Sequence, residues 1–176
     1  MAASKSYDPS KLGQVLAAWL VRELHDGGPE SLGVQLSESV QPHNLNRFLR
    51  EVYLFFLVPI ELAIILEAPP ESERVRMSLI DTLLELVNLQ LASVGARAIP
   101  SAEWRSLVAL RFEEYSQIAP ADSSKASNTK LLQLLFTNLG LPTPLPQRAI
   151  AARLHGFFAI LLPYACELIQ GYGRES

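Results

Sequence analysis

The sequence predicts an all-α protein, a single-domain irregular bundle of about six or seven helices packed around a buried, proline-kinked central helix. Three observations lead there. Apolar residues recur at three- and four-residue spacing through most of the chain. Glycines and prolines fall mainly between these periodic segments, where they stop one helix and start the next. The stretch Val52–Leu66, VYLFFLVPIELAIIL, is hydrocarbon apart from Pro59 and Glu61, and a helix apolar on every side must be covered on every side.

The first helix is announced by Asp8 as N-cap and Pro9 in the first turn. Leu12, Val15, Leu16, Trp19, Leu20 and Leu24 then keep helical spacing until Gly27-Gly28. Pro29–Val40 fits a short helix through Leu32, Leu36 and Val40 and in part a strand; the helix is the expectation. The central helix runs from about Asn44 to Glu67 and stops before Ala68-Pro69-Pro70. The next helix starts at Pro70, carries an apolar stripe from Val75 to Val94 with Arg74, Ser78, Asp81, Glu85 and Asn88 opposite, and ends at Gly95.

Ser101–Ile118 follows as a helix whose face holds Trp104, Leu107, Val108, Arg111, Tyr115 and Ile118. Residues 119–130, rich in Ser, Asn and Lys, read as a flexible internal loop. A helix over Ser127–Leu139 stops at Gly140, and alternating Pro142, Pro144 and Pro146 favour an extended connection. The last helix, Pro146–Gly171, echoes the central one: FFAILLPYACEL against FFLVPIEL.

One domain spanning 1–176 is expected from 176 residues, enough to bury roughly two-thirds of the unfolded surface. With 15 Lys+Arg against 18 Asp+Glu, a net charge of −3 offers no excess of cations for phosphates, so nucleic acid is not an expected partner. A few basic and polar residues, Lys125, Asn128, Thr129 and Lys130, do not alter that balance. Neither long apolar run reaches about 18 uncharged residues, so no membrane span is expected. The lone Cys166 forms no internal disulfide, and a cytoplasmic setting fits it.

Chemistry-bearing patterns are sparse. There is no phosphate-cradling glycine loop, no nucleophile elbow and no Glu-x-x-His pair, so no cofactor, metal or catalytic residue is assigned and the chain is expected not to be an enzyme. His155 and Cys166 lie about 16 Å apart along one helix and form no dyad there. Glu61 stands out as a carboxylate in an apolar setting. It lies about 20° around the helix from Arg50 and so either emerges at the surface or is buried against a cation, Arg111 first and Arg153 second.

The function expected on these grounds is protein–protein interaction, self-association included, through an exposed apolar helix face. The alternative is a hydrophobic small molecule held where Pro59 and Pro163 open gaps between helices. Such a pocket would be lined by Tyr53, Phe56, Phe157, Phe158 and Tyr164, with Glu61, Arg111 and His155 as polar handles.

Overall fold

A computed structural model describes residues 7–25, 45–68, 70–118, 125–140 and 148–175. Those residues form six helices and no strand: α1 (Pro9–His25), α2 (Leu45–Glu67), α3 (Ser72–Ser93), α4 (Ser101–Ser116), α5 (Lys125–Leu139) and α6 (Arg148–Glu175). The short helix expected over Pro29–Val40 lies outside the described residues.

Helix ends follow from local chemistry. The Asp8 carboxylate accepts the Ser10 backbone N–H at 2.9 Å, so one orphan donor of the first turn is satisfied by the expected cap. At the other extreme of α3, Gly95 adopts φ +71°, its N–H bonds the Ala92 carbonyl at 3.1 Å, and Ala96 N–H reaches Leu91 at 2.8 Å. This pair of bonds is a Schellman ending, which needs a left-handed residue at the position glycine occupies. Val94 sits in that ending and is 57% exposed, so it does not continue the apolar stripe as expected.

Two boundaries are corrected. α5 begins at Lys125, so residues 125–130 are helical and not part of the loop expected over 119–130; residues 119–124 lie outside the described residues. α6 runs past Gly171 to Glu175, because Gly171 keeps a helical backbone instead of the positive φ that closes α3.

The central element is α2. Every residue from Glu51 to Glu61 is buried, Pro59 among them, and the helix runs through the proline. Pro59 removes one backbone donor, an interruption that the enclosing helices hold in place. α2 touches each of the other five helices, most extensively α6, while the largest contact of all joins α1 to α3. Gly13 is what permits that closeness: a Cβ there would fall 2.6 Å from the Val75 carbonyl oxygen and 2.7 Å from the Leu79 nitrogen. Phe55 packs edge-on against both Phe56 and Tyr115, with centroids 5.0 and 5.2 Å apart, tying α2 to α4.

Polar clamps complete the α3–α4 corner. Trp104 is wholly buried and its Nε1 donates to the Ile80 carbonyl at 3.0 Å. Asn88 donates to the Ile99 carbonyl at 3.1 Å and accepts the Ile99 N–H at 2.8 Å, so one side chain satisfies both backbone groups of a connecting residue.

Candidate functional site

Two carboxylates on α2, Glu51 and Glu61, are buried. Ten residues apart on one helix, they are separated by about 15 Å of rise and about 80° of rotation, so they face different neighbours. Each is met by an arginine.

Glu51 faces α4. Its Oε2 accepts Arg111 Nε at 2.7 Å and its Oε1 accepts Arg111 Nη2 at 3.0 Å, a two-pronged fork between planar groups. The third Arg111 nitrogen, Nη1, donates to Glu114 at 2.7 Å. Burial opposes the charge on Arg111, but the bonds and fields of Glu51 and Glu114 outweigh it and raise its pKa above the ordinary arginine value. The cluster reaches α5 through Asn138, whose side-chain amide donates to the Tyr115 hydroxyl at 2.9 Å and whose backbone carbonyl accepts Arg47 Nε at 2.7 Å. Tyr115 also titrates above its usual value, chiefly through burial, with Asn138 partly opposing. Arg50 flanks the group at 3.6 Å from Glu51 and bonds Glu103 at 2.9 Å.

Glu61 faces α3. Its Oε1 accepts Arg76 Nε at 3.1 Å and Nη2 at 3.0 Å, whereas its Oε2 is buried without a hydrogen-bond partner. Burial raises the carboxyl pKa to about 7, and the attraction of Arg76 only partly offsets it. The Arg76 guanidinium lies 5.5 Å from the centre of the Phe112 ring on α4.

Of the two readings of Glu61, emergence at the surface is overturned: Glu61 is buried and paired, but with Arg76 and not with the Arg111 named first for a buried Glu61, and Arg111 belongs to Glu51. The reason is rotational, since the side of α2 that carries Glu61 is covered by α3, and α4 reaches the side that carries Glu51. The other predicted residues divide. Tyr53 and Phe56 are enclosed in the core, Tyr53 donating its hydroxyl to Gln90 at 2.9 Å. Tyr164 stands at the surface, 57% exposed, stacked on Trp19 of α1 at 5.7 Å and 13°. His155, Phe157 and Phe158 lie in α6, but their side chains are outside the described residues.

Glu51 and Arg76 are the polar residues that sequence reasoning missed. The signal was present: Phe48, Phe55 and Val58 share a helix face with Glu51, and Leu79, Ile80 and Leu83 share one with Arg76, all buried. Among the described residues no group of three His, Cys, Asp or Glu is placed to hold a metal, and no helix is long and apolar enough to cross a membrane. A groove of about 500 Å³ between α1 and α3 is lined by polar side chains such as Ser10, Gln14, Ser78 and Asp81. Arg105, which bonds Asp81 through two nitrogens at 2.9–3.2 Å, holds that carboxylate toward α4.

The chain matches no protein-family model, and comparison with curated proteins and with solved structures finds no match.

Proposed function

We propose that the chain is a non-catalytic helical protein that works by binding another protein, in the first place a second copy of itself, through the face where α1 meets α6. The observation that carries this reading is the exposure of Ile160 at 59% and Tyr164 at 57%, one turn apart on α6. Gly156, Ala159 and Pro163 are exposed beside them, and Val15 of α1 adds a further apolar surface at 39%. From Gly156 to Tyr164 the exposed described positions of α6 carry no charge, and Glu167 bounds the strip. Interface centres favour this composition, depleted in charge and anchored by an aromatic ring. The Trp19 stack pre-orders Tyr164, so less side-chain freedom is left to lose on binding. A second copy brings the same uncharged strip to the contact, as an isologous pair requires.

The buried ion pairs on α2 support the non-catalytic half of the reading. Glu51 is enclosed and bonded through both oxygens to Arg111, whose third nitrogen is taken by Glu114, which suits holding helices together better than moving protons to a substrate. The hydrophobic-ligand alternative gains less, because Tyr53 and Phe56 are packed inside the core while Tyr164 lies on the outside.

Sedimentation velocity over a wide range of protein concentration tests the proposal. The wild-type chain is expected to gain mass with concentration, and Ile160→Asp to stay monomeric with an unchanged melting temperature. A chain that remains monomeric, and that crosslinks to no protein from a photoreactive side chain replacing Ile160, overturns it.

A further inference from the structure

The contact between α2 and α3 contains one arginine shared by two unequal carboxylates. Glu61 has no exposed surface, and only its Oε1 is bonded, to Nε and Nη2 of Arg76. The remaining Arg76 nitrogen, Nη1, donates at 3.0 Å to Glu73, whose side chain is 72% exposed. The guanidinium therefore spans from a water-free carboxylate to a water-exposed one, with the Phe112 ring at its side.

We propose that Glu61 and Arg76 form a proton-operated strap: with Glu61 ionised, Arg76 is held across the α2–α3 contact, and with Glu61 protonated, the arginine shifts toward Glu73. The chemical step is one protonation. A proton from solvent adds to Oε2, the oxygen with no donor to displace, and the carboxylate becomes a neutral acid whose bond to Arg76 is no longer reinforced by charge on both sides. Arg76 is a quarter exposed, so it has a path to water when it lets go.

The charges acting on Glu61 are Arg76 and Glu73, both from α3. α4 presents the uncharged Phe112, while its Arg111 is engaged with Glu51 on another flank of α2 and with Glu114 of its own helix. Among the described residues, no charge of α1, α5 or α6 acts on Glu61. With burial lifting its pKa from 4.5 to about 7, the transition falls near neutrality. The folded state binds this proton more tightly than the unfolded chain, so the stability it contributes is complete below about 4.5 and is lost as pH rises through about 7.

The experiment is a pH titration by NMR of protein labelled with ¹³C in its glutamate carboxyls and ¹⁵N in its arginine side chains. The Glu61 carboxyl carbon and the Arg76 Nε–H resonance are expected to move together with a midpoint near 7. In Glu61→Gln the Arg76 resonance should lose its pH dependence. The fall in wild-type melting temperature between about pH 5 and about pH 8 should vanish in the same variant. Glu73→Gln should lower the midpoint, because the Glu73 charge is one of the forces raising it. A Glu61 carboxyl that titrates in the ordinary carboxylate range overturns the proposal. So does an Arg76 resonance that stays fixed while Glu61 titrates.

Discussion

Glu51 and Arg111 join α2 to α4, and the fork between them determines what each side chain is worth. Removing Arg111 strands Glu51 in a place from which water is excluded, and such losses cost about 3–5 kcal/mol, whereas Arg111 without Glu51 keeps its bond to Glu114 and some contact with water. Arg111→Ala is expected to lower the free energy of unfolding by that amount in urea titrations, and Glu51→Ala to lower it by less. In a double-mutant cycle the two should couple, by about 0.5–3 kcal/mol, whereas Glu61→Ala and Arg111→Ala should add to within about 0.5 kcal/mol because they share no bond. The pairing was not legible in the sequence. Burial of Glu61 follows from its apolar neighbours, but which arginine meets it depends on how α3 and α4 are rotated against α2, and no local pattern encodes that angle.

At the scale of the helix, caps and spacing were legible where the signal is local. Asp8-Pro9 starts α1 and Gly95 ends α3 as their backbone chemistry requires. Gly171 misled because a glycine ends a helix only when its backbone turns left-handed, and here that of Gly171 does not. The role of Gly13 was hidden for a different reason: it lies in the crossing with α3, a partner about sixty-five residues away in the chain. Gly13→Ala would drive a methyl group into the α3 backbone at 2.6 Å, where no side chain can swing aside. Although alanine is the better helix former, the expected outcome is a loss of about 1–3 kcal/mol, read as a lower urea midpoint with an unchanged slope. Trp104→Phe belongs to the same class. It keeps most of the ring volume but removes the indole bond to the Ile80 carbonyl, which lies inside α3 and keeps its helical donor, and a loss of about 0.5–1.5 kcal/mol is expected by the same measurement.

Across the whole molecule, α2 is the element every other described helix leans on. Its amides from Val52 to Ile60, Pro59 having none, are therefore expected to exchange with solvent only through global unfolding, while those of the exposed turn at Val94 and Gly95 exchange through smaller openings; hydrogen exchange read by NMR distinguishes the two. Its place at the centre was the most legible feature of the sequence, since most of VYLFFLVPIELAIIL has no polar side to offer to water, but the cover expected over the whole run ends at Ile64: Ile65 and Leu66 are 44% and 65% exposed. The same arrangement has a temporal consequence. α6 supplies the most extensive cover of α2, and the bond from Gln170 to Glu67 spans 103 positions. During synthesis at about 5–20 residues per second, the chain carries the bare flank of α2 for on the order of 5–20 s before its cover emerges. The nascent protein therefore has a sticky interval set by the ribosome's pace, in which a chaperone that grips apolar helices has its clearest opportunity to act.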